Sequence, residues 1–186
     1  MRYLGNKRHL LADIESAARA IGFERGTMCD LFAGSARVGR HFRARGCRVL
    51  ATDLMACSHV FQKIFLELPG PPSFEAFRTA HDLPPPVPEK RIEGALPSDP
   101  LEWEPTRRVL AYLEQLEPKE GLLTRQYSPS GPLGRMYIRE ENAARFDAML
   151  GGLREWHHDG LLTEPETYLL LGTIIDAVDR VANISG

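Results

Sequence analysis

Long apolar runs, a paired set of cysteines and a large net charge are all missing from this 186-residue sequence. No apolar run approaches the roughly 20 residues that a membrane-spanning helix needs. The three cysteines are an odd number, and their spacing fits neither a disulfide framework nor a zinc site. The first residues also lack the apolar core of a signal peptide. We therefore expect a cytoplasmic protein with no membrane anchor and no bound metal.

The composition is that of a globular protein, with 43% hydrophobic and 26% charged residues. The net charge of −2 hides an asymmetry, because residues 1–50 hold ten Lys and Arg against four Asp and Glu. A basic first quarter can face phosphate groups or another polyanion. It can equally be the solvated face of a helix.

Proline divides the chain. Ten of the 14 prolines lie in residues 69–105, a density at which we expect no helix and no central strand. The sequence thus predicts three parts: an α/β part over 1–68, a proline-rich connection over 69–105 and a helical part over 106–186. In the helical part, Thr163 and Glu166 have the spacing of a capping box.

Helix and strand signals alternate in residues 1–68, and glycines end the first two helical patterns. A strand, a turn, a helix and a second strand within about 27 residues make a βαβ unit. This pattern predicts a parallel sheet of the doubly wound, Rossmann-like α/β class. The expected elements are helix 10–21, strand 27–32, helix 37–45, strand 47–52 and helix 57–68.

One segment carries the chemistry: Asp30–Gly39, which reads DLFAGSARVG and is followed by Asp53, 19 residues after Gly34. A strand ends, small residues let a ligand approach the backbone, and a helix N-terminus follows. A carboxylate at the tip of the next strand can accept hydrogen bonds from a ribose diol. The combination predicts a site for an adenosine-containing cofactor.

Two features favour S-adenosylmethionine over NAD as that cofactor. Asp30 precedes Phe32 on the strand, where an acid can hold an α-amino group, whereas dinucleotide sites usually have an apolar residue there. Lys7, in the segment YLGNK, can neutralise the carboxylate of the same ligand. A small NAD-dependent oxidoreductase remains an alternative.

These motifs resemble those of the Dam-like (class alpha) adenine-specific DNA methyltransferases. Tyr3–Lys7 is similar to the N-terminal cofactor motif of the family, Asp30–Ser35 to its main cofactor motif and Ala51–Leu54 to its ribose-binding strand end. The resemblance implies a restriction-modification enzyme that uses S-adenosyl-L-methionine and acts on double-stranded DNA. Its implied cofactor contacts are Tyr3, Lys7, Asp30, Phe32, Gly34, Ser35, Asp53 and Leu54.

A later stretch, from Tyr127 to Asn142, resembles one branch of the same enzymes. Its aromatic and arginine side chains are of the types that contact bases and phosphates. We expect DNA contacts from Tyr127, Arg135 and Tyr137. The alternative is a rigid connector within a helical subdomain.

The sequence departs from the family in two ways. Ala36 replaces a usual glycine, which we expect to be tolerated if its backbone has a negative φ. The catalytic Asp/Asn-Pro-Pro-aromatic motif is absent from the sequence. We therefore expect no catalytic residues here, an inactive isolated chain, and a catalytic motif supplied by a second chain or a further C-terminal segment. The alternative is a non-catalytic binding or regulatory module on a degraded methyltransferase scaffold.

Overall fold

The computed structural model describes residues 7–85 and 103–183. The chain forms two compact units, Arg2–Leu68 and Pro69–Gly186, and each is described by itself. The separate roles expected of the three predicted segments stay predictions. Tyr3 lies outside the described residues, so its expected cofactor contact stays one as well.

The first unit alternates helix and strand as the sequence predicts. Gly22 and Gly46 follow the first two helices with φ of 81° and 80°, a left-handed backbone that favours glycine and ends a helix. A 3₁₀ turn precedes the first helix, and a π-helical turn over Lys63–Glu67 extends the last. The elements are the 3₁₀ turn Lys7–Leu10, α1 Leu11–Ala20, β1 Thr27–Asp30, α2 Arg37–Arg43, β2 Arg48–Ala51 and α3 Ala56–Gln62.

The two strands pair in parallel, which confirms the predicted βαβ unit. Thr27 lies beside Arg48 and Asp30 beside Ala51, so both strands end at the same edge. The pairing continues one step further, because the Thr52 N–H donates to the Asp30 carbonyl at 2.9 Å. The described sheet has two strands, which supports a parallel α/β arrangement and leaves the doubly wound class a proposal.

Helices cover one face of this sheet. Val38 and Phe42 of α2 are buried with Cys47, and they pack against Ile14 of α1 and Val49 of β2. Residues on the other face are exposed, including Cys29 and Leu50. The alternation of exposed and half-buried residues along both strands follows from this one-sided packing.

A helix forms inside the proline-rich stretch, so the expectation of no helix there is wrong over α4, Glu75–Ala80. The reason is local, because residues 73–83 contain no proline. Phe77 of this helix is fully buried. Its ring packs on Trp156 with centroids 4.8 Å apart and on His81 with centroids 4.2 Å apart.

The rest of the second unit is helical, as the sequence predicts. Its helices are α5 Glu104–Leu113, α6 Leu122–Tyr127, α7 Glu140–His158 and α8 Glu164–Val181. The predicted capping box at Thr163 and Glu166 is present at the start of α8. Glu166 is buried and also accepts the Phe74 N–H at 2.7 Å, which links the start of α4 to the start of α8. All described helices fall short of the length and apolarity that a bilayer span requires.

Candidate cofactor site at the ends of the parallel strands

The turn after β1 brings a chain of small residues close to the end of β2. The Ala33 N–H donates to the Thr52 carbonyl at 3.1 Å, so the turn starts as a continuation of the strand pairing. Gly34 has a φ of 51°. This left-handed conformation bends the backbone sharply and is the one for which glycine pays no steric cost.

Asp53 fixes this turn from the neighbouring strand. Its Oδ2 accepts the Gly34 N–H at 2.8 Å, and its Oδ1 accepts the Met55 N–H at 2.9 Å. The Met55 and Gly34 N–H groups lower the pKa of the Asp53 carboxyl below its ordinary value. The Ser58 hydroxyl and the Leu54 N–H lower this pKa further, so several donors at this strand end stabilise the charged form of Asp53. The spacing predicted Asp53 at this place; its role in holding Gly34 was not foreseen.

Asp30 ends the other strand of the same edge. Its Oδ2 is buried and has no hydrogen-bond partner in the described part of the chain. A buried carboxylate oxygen without a donor costs free energy, and a ligand ammonium or hydroxyl would remove that cost. The predicted pair of acids is thus at adjacent strand ends, joined through the Thr52–Asp30 backbone bond.

Lys7 reaches the turn from the 3₁₀ segment before α1. Its Nζ donates to the Phe32 carbonyl at 3.2 Å. The predicted proximity of Lys7 to the turn is therefore present, with a backbone oxygen as its partner. An ammonium has three donors, so the same group retains capacity for a ligand carboxylate.

Exposed apolar side chains follow the ends of both strands, next to the turn. Phe32 is 76% exposed, and Leu54 is fully exposed. Leu31 and Met55 are exposed beside them, whereas Ser35 is half-buried. Exposed large apolar groups clustered at one site are typical of a binding surface, and an aromatic ring offers a stacking face to a purine.

Ala36 does not meet the condition expected of it. Its φ is 58°, in the left-handed region, and its side chain is fully buried. A non-glycine residue there costs about 1 to 2 kcal/mol because its Cβ crowds the backbone. The condition of a negative φ is therefore not met, and the alanine introduces strain at the start of α2.

The three predicted DNA-contact residues lie together in the second unit. The Arg135 guanidinium carbon is 5.9 Å from the ring centroid of Tyr127, and the rings of Tyr127 and Tyr137 are 6.3 Å apart. Neighbouring Met136 is 73% exposed. The Ile138 N–H donates to the Tyr127 carbonyl at 3.0 Å, which holds the two ends of this loop against each other.

An acid that the sequence analysis missed anchors the helix leading into that loop. Asp147 of α7 accepts the N–H groups of Leu123 and Thr124 at 2.9 and 2.8 Å, and the Thr124 hydroxyl at 2.7 Å. The two N–H groups are among the unpaired backbone donors at the start of α6. Because the partners are 23 and 24 residues apart, no local spacing rule identifies the contact.

Comparison with known proteins agrees with the cofactor motifs. Residues 3–78 match the family model of the D12 class N6 adenine-specific DNA methyltransferases. This match confirms the predicted resemblance to adenine-specific DNA methyltransferases. Members of the D12 class use S-adenosyl-L-methionine as methyl donor, and the matched range contains every predicted cofactor residue.

Three curated relatives match nearly the whole chain. The modification methylase LlaI of Lactococcus lactis subsp. lactis is 29% identical over 100% of the chain. The type II methyltransferases M.FokI of Planomicrobium okeanokoites and M.NlaIII of Neisseria lactamica are 30% and 27% identical over 100% and 98% of it. The chain covers 26% of LlaI, 26% of M.FokI and 46% of M.NlaIII. No solved structure gives a significant match.

Proposed function

We propose that this chain is the cofactor-binding and DNA-recognition part of an S-adenosylmethionine-dependent DNA (adenine-N6) methyltransferase. The observation that carries the proposal is the edge of the parallel sheet, where Asp30 and Asp53 end adjacent strands beside a left-handed glycine turn. The D12 class match and the methylase relatives support the same reading. The finer proposal for the fold is a Rossmann-like, doubly wound sheet.

The residues of this edge fit the cofactor. The unpartnered Oδ2 of Asp30 would accept from the α-amino group of the methionine part, and Lys7 would face its carboxylate. Asp53 would accept from the ribose hydroxyls, while the turn at Gly34 and Ser35 gives the close backbone approach. Phe32 and Leu54 would cover the adenine ring. The bound cofactor supplies an electrophilic methyl group on a sulfonium.

Double-stranded DNA is the proposed partner of the second unit. Tyr127 at the end of α6 forms a mixed aromatic and cationic group with Arg135 and Tyr137 of the loop that follows. Such a group combines stacking on bases with bidentate contacts to phosphate or guanine. Because the family's Asp/Asn-Pro-Pro-aromatic motif is absent from the sequence, the proposal places the acceptor of the adenine amino protons on a further segment or a second chain.

A non-catalytic module on a methyltransferase scaffold is the second candidate. The missing catalytic motif and the left-handed Ala36 favour it, because a non-glycine residue in this conformation strains the cofactor turn. Both candidates predict little or no methyl transfer by the 186-residue chain alone. They differ in whether a polypeptide carrying the missing motif restores transfer.

Calorimetric titration with S-adenosylmethionine and, side by side, NAD tests the proposal. We expect S-adenosylmethionine to bind and NAD not to bind. Asp30→Asn should weaken the binding at least tenfold, whereas Asp13→Asn, a change on the exposed surface of α1, should leave it unchanged. Preferential binding of NAD, or equal binding by both variants, would contradict the assignment of the site.

Tritium transfer from the methyl donor to unmethylated duplex DNA tests the catalytic part. The isolated chain should transfer no label, and addition of the homologous remainder of a D12 class enzyme should restore transfer. Label on DNA with the isolated chain would overturn the proposed division of labour. Specific DNA binding with no transfer in any combination would favour the non-catalytic module.

A further inference from the structure

Arginines concentrate at the edge of the sheet opposite the cofactor turn. Between residues 19 and 48, all seven Lys or Arg positions are arginine, against two acids, Glu24 and Asp30. Where helices alternate with parallel strands, each helix ends at the edge of the sheet at which the next strand starts. The arginine surface of this edge consists of Arg19, Arg25, Arg43, Arg45 and Arg48.

Backbone bonds bring the chain at Arg25 close to Arg48, and the chain at Arg43 close to Arg45. The Arg48 N–H donates to the Gly26 carbonyl at 2.8 Å, next to Arg25. The Gly46 N–H donates to the Arg43 carbonyl at 2.9 Å in the turn between α2 and β2. All five arginines of the surface are exposed.

The carboxylates near this surface do not neutralise its positive charge. Glu15 contacts both Arg19 and Arg45, at 2.7 and 2.8 Å, and Glu24 adjoins Arg25 in the chain. Five guanidinium groups against these two carboxylates leave a formal excess of three positive charges. The local surplus is large for a protein whose net charge is −2.

Helix dipoles account for only part of the arrangement. Arg19 and Arg43 lie in the last turns of α1 and α2, where cations are favoured in any protein. Arg25 precedes β1 and Arg48 begins β2, so neither gains from a helix end. Apart from the backbone bond of Arg48 to Gly26, the guanidinium groups of Arg25 and Arg48 have no hydrogen-bonding or ionic partner in the described part of the chain. These two arginines are free to bind an external anion.

We propose that the arginine surface binds the phosphate backbone of duplex DNA without reading sequence, as a second contact distinct from the loop of Tyr127, Arg135 and Tyr137. Arginine presents a planar fork of donors that matches a phosphate bidentately. A surface of several such groups suits the regular phosphates of a duplex. The inference rests on DNA being the partner in the proposed function.

Salt dependence of binding tests the surface. Affinity of the full chain for a duplex of random sequence is measured by fluorescence anisotropy between 50 and 200 mM salt. Arg25→Gln with Arg48→Gln should reduce the slope of log affinity against log salt by about 2, because each phosphate contact contributes about 0.9. Across this range, the affinity of the unaltered chain should then fall about tenfold more than that of the double variant.

A matched pair removes the same charge elsewhere. Arg107→Gln with Arg154→Gln changes two exposed arginines of α5 and α7 and should leave the slope unchanged. Arg25→Lys with Arg48→Lys should restore it. An unchanged slope in the first double variant, or equal losses in both glutamine pairs, overturns the proposal.

The outcome is separable from that of the proposed function. Arg25→Gln with Arg48→Gln should leave S-adenosylmethionine binding as it is, since both residues lie at the start of the strands. If Arg135→Gln lowers the DNA affinity and Arg25→Gln with Arg48→Gln does not, the loop remains the proposed DNA contact and the proposal for the arginine surface is wrong. Failure of the unaltered chain to bind S-adenosylmethionine would overturn the cofactor site and leave the salt measurement valid.

Discussion

The Oδ2 atom of Asp53 accepts the backbone N–H of Gly34 at 2.8 Å, across 19 residues of sequence. A glycine turn at the end of one strand is thereby fixed to the tip of the next. The same carboxylate that would meet a ribose shapes the turn that would receive the rest of the ligand. The proposed ribose contact and the local stability of the turn therefore depend on the same side chain.

Asp53→Asn tests this coupling. The variant loses the charge that assists two backbone hydrogen bonds, so we expect the free energy of unfolding of the first unit to fall by about 1 to 2 kcal/mol. Hydrogen exchange of the Val49 and Leu50 amides measures this opening. The cofactor affinity should fall with it. Unchanged exchange rates would show that Asp53 does not hold the turn.

Ala36→Gly should stabilise the first unit. The change removes a left-handed cost of about 1 to 2 kcal/mol and adds a glycine entropy cost of about 0.5 to 1 kcal/mol, so the net gain is up to about 1.5 kcal/mol. Affinity for S-adenosylmethionine should also rise. Ala44→Gly is the matched control, because Ala44 has a helical φ of −61° and should lose stability. Equal destabilisation by both changes would contradict strain at Ala36.

Glu15 makes the stability of the first unit depend on pH. The hydrogen bond from Arg45 is the main cause that lowers the pKa of Glu15 from 4.5 to about 2, and the His41 ring at 2.8 Å contributes. A lowered folded-state pKa means that the stabilisation is complete above about pH 5 and is lost as the pH falls toward 2. Carboxyl carbon NMR should give a midpoint near 2 for Glu15.

Glu15→Gln should therefore lower the melting temperature at pH 7 and lose most of this difference near pH 2. Glu117→Gln, in the exposed connection after α5, serves as the control and should show no such convergence. A constant difference between Glu15→Gln and the unaltered chain over the whole pH range would contradict the assigned ion pairs.

The close approach of Asp147 to Gly121 predicts a steric effect when a side chain is added at Gly121. A Cβ added at Gly121 would lie 2.6 Å from the Asp147 carboxyl carbon. Gly121→Ala should therefore cost about 1 to 3 kcal/mol, because the anchor of α6 must move. Gly151→Ala meets no atom within 4 Å in α7 and should gain up to about 1 kcal/mol. Denaturant unfolding followed by Trp156 fluorescence compares the two, and equal effects would contradict the anchor.

The sequence predicted what depends on local pattern. Glycines at 22 and 46 end helices, the spacing of Gly34 and Asp53 marks two strand ends, and the Thr163 capping box starts α8. Long-range contacts were beyond such reasoning. The burial of Phe77 against Trp156 depends on residues 79 positions apart, although the helix that carries Phe77 forms in a locally proline-free segment.

The site was predicted in the same uneven way. The positions of Asp30, Asp53 and Lys7 around the turn follow from the order of strand and helix. The positive φ of Ala36 does not, because an alanine gives no signal for a left-handed conformation that its surroundings impose. The unpartnered oxygen of Asp30 also depends on which donors the rest of the chain supplies.

Amide NMR of the isotope-labelled chain, titrated with S-adenosylmethionine, locates the bound cofactor residue by residue. The Gly34 N–H already reports on Asp53 through its hydrogen bond. We expect saturable shifts confined to the Gly34 turn and to the residues around Asp30 and Asp53. Saturable shifts elsewhere, or none at millimolar ligand, would contradict a cofactor site at this edge of the sheet.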